Sequence, residues 1–432
     1  MGSTGIHRRN FLKKVGGMGV AGIGISSFMP LSSKQLHEIS QAKNRLSPAE
    51  AASDETFWYP IQKAYTQSPH FINLEGGYFS PQADEVMEAQ FRNIRMINEQ
   101  PSFYMRRRQF EERLAVKKKL ARMAGVSHEE IVITRNTTEA LNIVIMGKKW
   151  QVGDEVIVSS QDYGSMLEAF EMRELRDGVK RVMVDLPLNP QSDREIVDCY
   201  EKAISSKTRA IHVTHLINIT GQILPVKAIA EMAESNGVEV IVDAAHSFAQ
   251  LDFKIPDLSV DYFGTSLHKW LCTPLGAGML YVKKEKISSV WPLFGDTGYD
   301  EGDIRKFEHI GTHPVSTNLS ISSAIDFHEN IGVQYKQARL SYLKSYWLDK
   351  VIHLPRLVIN SPDQKHRTCA IANVGIKGMG PEELANRLYE EFGVFTVAIQ
   401  HKDFQGVRVT PHLYTRISHL DQFVHALEML AT

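Results

Sequence analysis

From about residue 70 to residue 320, short β-branched apolar runs alternate with segments of helical periodicity. The runs at 131–134, 155–159, 181–184, 209–214, 238–242, 262–264 and 279–282 are bounded by turn residues and predict strands. Between several of them lie amphipathic stretches, such as 193–205 and 226–236, that predict helices. Nearly continuous apolar strands separated by helices predict a mostly parallel sheet covered on both faces. In such α/β sheets, ligands collect beyond the carboxyl ends of the strands. After about residue 330 the pattern changes. A long helical stretch precedes a strand at 367–376, and Pro381 opens a helix to Phe392. Strands at 394–400 and 406–410 follow, then a last helix capped by Ser418 with Asp421. This predicts a smaller α+β C-terminal domain. The expected division is 1–53 as leader and linker, 54–325 as the large domain and 326–432 as the small one.

The 432 residues suffice for two or three domains, and 43% apolar with 23% charged residues is ordinary for a soluble enzyme. A net charge of -1 offers no attraction to nucleic acid or an acidic membrane. Cys199, Cys272 and Cys369 are scattered, which predicts neither a disulfide framework nor a metal site. The N-terminus differs from the rest: Arg8-Arg9-Asn10-Phe11-Leu12-Lys13 precedes a Gly-rich, weakly apolar run at 15–28. This resembles a twin-arginine export signal and predicts a periplasmic or otherwise exported protein. The alternative is a basic tail on a cytoplasmic one. The run is too short and glycine-rich for a stable membrane span, and the polar, Ser-rich stretch 29–53 reads as a linker.

Candidate chemistry gathers at the predicted strand ends. The run 238–242 ends in Asp243-Ala244-Ala245-His246, and Ser266-Leu267-His268-Lys269 follows the next strand. A Lys amine can form a Schiff base with an aldehyde cofactor, and an Asp can keep a pyridine nitrogen protonated. The pair therefore points to pyridoxal 5′-phosphate. Thr134-Arg135-Asn136-Thr137-Thr138-Glu139 leaves a strand and opens a helix, a phosphate-binding arrangement and equally an ordinary helix cap by Asn136 or Thr137. Tyr163 ends another strand and offers a ring to stack on a cofactor face, or is a plain packing residue. Asn218, before the turn at Gly221, could donate to a ring oxygen.

These motifs in this order resemble the class V aminotransferases, and within them the isopenicillin N epimerase-like branch. The resemblance spans about 71–430. It rests on Asn73-Leu74-Glu75-Gly76-Gly77, Thr137-Thr138-Glu139-Ala140, Gly153-Asp154 with Asp162-Tyr163, Asn218 with Gly221, Asp243-Ala244-Ala245-His246, Ser266-Leu267-His268-Lys269 and 307–312. It implies the PLP-dependent transferase fold type I, with a seven-stranded sheet in the large domain. It implies that Lys269 carries the cofactor and shuttles protons, Asp243 pairs with the pyridine nitrogen, and Tyr163 stacks on the ring. Thr137, Thr138, Ser266 and His268 would hold the phosphate, and Asn218 with His246 would contact the phenolic oxygen. Thr312 would reach the phosphate of a neighbouring subunit, making the active unit a homodimer. Arg408 would clamp a substrate α-carboxylate. Two departures stand out. The related desulfurases carry a nucleophilic Cys before the Arg-bearing strand, and 395–405 holds none. The epimerase-like branch usually has Arg where this chain has His313. The expected activity is chemistry at Cα of an amino acid: transamination, epimerisation or β-elimination. The alternatives are a C–S lyase lacking the persulfide Cys, and a noncatalytic binding protein of the same fold.

Overall fold

The fold was obtained as a computed structural model that describes residues 33–432. The twin-arginine-like segment lies outside the described residues. In chain order the strands are β1 (Ile72–Asn73), β2 (Ile131–Thr134), β3 (Glu155–Ser159), β4 (Lys180–Val184), β5 (Thr208–Thr214), β6 (Glu239–Asp243), β7 (Tyr262–Ser266), β8 (Gly278–Val282), β9 (Leu357–Ile359), β10 (Ala372–Ile376), β11 (Val394–Phe395), β12 (Val397–Gln400) and β13 (Gln405–Val409).

The seven runs expected to be strands are β2 to β8, and they form one seven-stranded sheet in the order β2-β8-β7-β6-β5-β3-β4. The pairings from β7 through β4 are parallel, while β8 runs antiparallel to both neighbours. Six strands therefore share one direction. β2, β5, β6, β7 and β8 are buried almost throughout, because helices cover both faces and leave no side of these β-branched runs for water. Small residues set the closest approaches. A Cβ on Gly264 would lie 2.6 Å from Leu141 Cδ2, and one on Gly278 would lie 2.7 Å from the Asn136 backbone. These two glycines let helix Thr137–Gly147 settle directly on β7 and β8.

The C-terminal region builds a four-stranded antiparallel sheet, β12-β13-β10-β9, around its own apolar cluster of Trp347, Phe423, Leu384 and Val407. One thread joins it to the N-terminal segment: β1 pairs in parallel with β11, and Glu75 bridges Thr410. Several expectations are corrected here. The strand expected over 367–376 starts only at Ala372, because 365–367 is a 3-10 turn. The run 394–400 is divided into β11 and β12. The last helix, Ile417–Ala431, begins before Ser418, and Asp421 accepts from Tyr346 and Lys350 instead of capping it. Where the polar stretch 29–53 reads as a linker, Ser33–Lys43 and Pro48–Ala52 are helical. Ser47 and Glu50 form a capping box and Ile39 and Ala51 are buried, so local capping and packing outweigh the polar composition. The boundary expected at 325–326 falls inside helix Val315–Ile331, and the break between helices comes at Gly332, with φ 89°. Among the described residues, no helix is long and apolar enough to cross a membrane.

Candidate active site

A cavity of about 260 Å³ opens beyond the carboxyl ends of β6 and β7. Thr137, Thr138, Tyr163, Asp243, Ser266, His268 and Lys269 all line it, with Asn136, Tyr78, Phe79 and Gly276. Segments more than 130 residues apart in sequence meet here because neighbouring parallel strands deliver their ends to the same edge.

Lys269 is 7% exposed. Burial lowers its pKa to about 8, against the pull of Asp243, which favours the charged form. Its Nζ lies 3.1 Å from Nε2 of His246. Trp270 Nε1 donates to Nδ1 of the same ring at 3.3 Å. Burial holds His246 well below its ordinary pKa, so the imidazole is neutral. With Nδ1 accepting, Nε2 must carry the proton and donate to Nζ. That bond requires a lone pair on Lys269, and so selects the neutral, nucleophilic amine. We expect capture of pyridoxal phosphate by the cofactor-free protein to quicken as pH rises through about 8 and to level off above it, because only the neutral amine attacks. Following absorbance after mixing across pH checks this; a rate independent of pH from 6 to about 9 would exclude Lys269 as the titrating group.

Asp243 ends β6 and is 2% exposed. One oxygen accepts from the Ala245 amide at 2.9 Å, and burial raises its pKa. A buried carboxylate with spare acceptor capacity suits a cationic ring nitrogen. At the other end of the cavity, Thr137 opens helix Thr137–Gly147. Its amide and hydroxyl both meet Ser266 Oγ, at 2.9 and 2.7 Å. Asn136 is spent on capping the Glu139 amide. Hydroxyls converging on a helix N-terminus form an anion cradle. His268 Nδ1 donates to the Ala277 carbonyl at 3.1 Å, which leaves Nε2 of the neutral ring as acceptor. Burial lowers its pKa to about 4, so His268 could donate to a phosphate only after the dianion draws a proton onto it.

Pyridoxal phosphate fits these side chains. An amine, a carboxylate, an anion cradle and a ring for stacking line one cavity, and the nearby Asn218 carries a buried Oδ1 without a partner. When bound, the cofactor supplies an electron sink for the bond broken at the substrate.

Four expected site residues, Asn218, His246, Thr312 and Arg408, do not line this cavity. His246 lies behind Lys269 and orients it. Thr312 lines a separate cavity of about 820 Å³ with Arg106, Arg113 and His313. Arg408 is buried and tied to two other segments: Nε donates to Glu75 Oε2 at 3.2 Å, Nη2 to Oε1, and Nη1 to the Asn218 carbonyl at 3.4 Å. Sequence reasoning missed two participants. Tyr78 donates to or accepts from Tyr163 Oη at 2.6 Å, and its ring centre lies 4.7 Å from Lys269 Nζ. Glu75 was quoted only as part of a motif. The local signal was Gly76-Gly77: a Cβ on Gly77 would lie 2.9 Å from Trp270, so this chain passes close to the lysine segment.

A family model for aminotransferase class V matches residues 85–408. Isopenicillin N epimerase of Streptomyces clavuligerus is 23% identical over 390 residues, covering 86% of this chain and 98% of its own. A probable cysteine desulfurase of Halalkalibacterium halodurans is 30% identical over 275 residues, 61% of this chain and 66% of its own. Among solved structures, a cystine C–S lyase in complex with its product cysteine persulfide has a TM-score of 0.76 at 21% identity, covering 83% of this chain and 97% of that one. The apo cysteine desulfurase of Thermococcus onnurineus has a TM-score of 0.75 at 21% identity, covering 86% and 98%. With the fold, the cavity and the family match in agreement, this chain belongs to the class V aminotransferases, a family of PLP-dependent enzymes.

Proposed function

We propose that the protein acts at Cα of an amino acid or small amino-acid-containing substrate. The observation that carries this reading is the buried Lys269 amine, within hydrogen-bond distance of His246 and sharing a cavity with Asp243. Lys269 holds the cofactor, then moves the Cα proton. Asp243 keeps positive charge favoured at the ring nitrogen. Tyr163 packs against the ring, and Thr137, Thr138 and Ser266 bind the phosphate. No cysteine lies in 395–405, so β-elimination by a C–S lyase fits this chain better than persulfide formation.

Epimerisation needs a second proton donor. Burial and the Tyr163 hydrogen bond push the Tyr78 pKa up to about 12, so its hydroxyl stays protonated beside Lys269. The two relatives named epimerase support this second reading. Screening amines and amino acids for a change in the holoenzyme's absorbance, then identifying products by mass spectrometry in deuterated water, tests both. Both enantiomers carrying deuterium at Cα mean epimerisation; a keto acid released together with ammonia means β-elimination, and a keto acid without ammonia means transamination. A full panel without spectral change or product would overturn the assignment.

The proposal extends to a homodimer in which Thr312 completes the partner's phosphate site. The exposed Phe110, which lines the larger cavity with Thr312, and the exposed Phe103 near it in sequence support it. It extends also to twin-arginine export, with cell fractionation as its test.

A further inference from the structure

The cavity has more lining than the cofactor uses. In the proposed reading Thr137, Thr138 and Ser266 serve the phosphate, Tyr163 and Asp243 the ring, and Lys269 the reaction. Phe79 and Leu275 line the same cavity and are left without a part. Both are large, apolar and turned outward: Phe79 is 57% exposed and Leu275 62%. One exposed apolar side chain is ordinary, but two from distant segments that meet at one cavity are not scattered. Phe79 is held in place. Its ring meets the Tyr78 ring edge-on at 4.4 Å and lies nearly parallel to His268 at 6.4 Å, and the amide of Ser80 donates to the His268 carbonyl at 3.4 Å. The same Tyr78 ring lies 4.7 Å from Lys269 Nζ, so Phe79 stands one ring away from the reacting amine. Leu275 precedes Gly276, whose φ of 86° turns the chain at the rim, and a Cβ on Gly276 would meet nothing within 4 Å. The rim beside Leu275 is open space.

Volume decides where a substrate goes. The cavity of about 260 Å³ is smaller than the ~300–1,000 Å³ of sites that enclose a drug-sized ligand, and a ring carrying a phosphate takes up most of it. What a substrate carries beyond Cα must therefore extend over the rim, where Phe79 and Leu275 stand. Among the described residues, the charged groups of the lining are Asp243, His268 and Lys269, and each already has a part, so the rim offers a side chain no ion pair. Methylenes buried against two apolar side chains stabilise the complex, whereas a charged side chain gives up water there without gaining a partner. We propose that Phe79 and Leu275 are specificity-determining residues, and that the substrate is an amino acid with a bulky apolar side chain that packs against them. This rests on the proposed chemistry at Cα and narrows its substrate class.

The test is absorbance titration of the holoenzyme with L-alanine, L-leucine, L-asparagine and L-aspartate; asparagine and aspartate match leucine in size. L-Leucine should perturb the bound cofactor at concentrations about tenfold or more below the other three. Phe79→Ser combined with Leu275→Ser should bring L-leucine to within about threefold of L-alanine. Leu275→Ser alone, at the more exposed position, should give up part of the preference. Both side chains are exposed, so the fold should survive, and cofactor content checks this. Affinity for leucine no better than for alanine overturns the inference without any variant, and so does tighter binding of aspartate than of leucine. In either case spectral changes with the amino acids leave the Cα chemistry standing and remove only the substrate class. A double variant that keeps the leucine preference also overturns the inference; if it separates into monomers as well, the two side chains serve contact with a second copy. If no amino acid alters the spectrum, the reading of Cα chemistry fails, and the substrate class falls with it.

Discussion

Replacing Lys269 with Ala should leave a folded protein that binds pyridoxal phosphate reversibly, is no longer covalently labelled by borohydride reduction, and has lost turnover. Loss of proton transfer alone accounts for on the order of 10^2 to 10^4-fold in rate. Mass spectrometry of the reduced protein is the direct check, because it names the labelled lysine. A second buried lysine makes the experiment discriminating. Burial also lowers the Lys336 pKa to about 8, but its Nζ is committed to the Trp270 carbonyl and it lies outside the cavity that holds Asp243. Label found on Lys336, or full turnover in the Lys269→Ala protein, would remove Lys269 from the role given to it.

The second large effect is expected at Asp243. Asn is nearly isosteric, and its Oδ1 can still accept from the Ala245 amide, so the fold and the end of β6 should survive. What changes is charge. An amide facing the ring nitrogen can donate to it but cannot favour its protonation, and the electron sink weakens. Turnover should fall on the order of 100-fold or more, while cofactor is still captured. Comparing cofactor content with kcat separates the two roles. Turnover within a factor of about three of the parent, in a protein with full cofactor content, would mean that Asp243 only braces the loop.

Much of this was legible from local pattern. The seven apolar runs became the seven strands of the large sheet because both faces are covered, and a strand buried on both sides tolerates almost no polar residue. The chemistry at their ends was legible for the same reason: Tyr163, Asp243, Ser266 and Lys269 are polar residues placed just where apolar runs stop, and parallel topology gathers those ends at one edge. The stretch 29–53 misled because composition was weighed and the capping box at Ser47 and Glu50 was not.

The rest was decided by tertiary structure. Nothing in the neighbourhood of Glu75 or Arg408 announces a partner 333 residues away. They meet because β1 pairs with β11 and Glu75 with Thr410, hydrogen bonds between segments with no shared periodicity. Tyr78 reaches Tyr163 through that same pairing, and His246 reveals its tautomer only once Trp270 and Lys269 are seen on opposite nitrogens. Thr312, read as a phosphate ligand, is placed by the fold of one chain in a different cavity from Lys269. Local sequence determined which residue types stand at each strand end, because burial is felt residue by residue. Which charges neutralise one another was settled only by long-range packing, because a buried ion pair depends on distance and desolvation that no stretch of chain contains by itself.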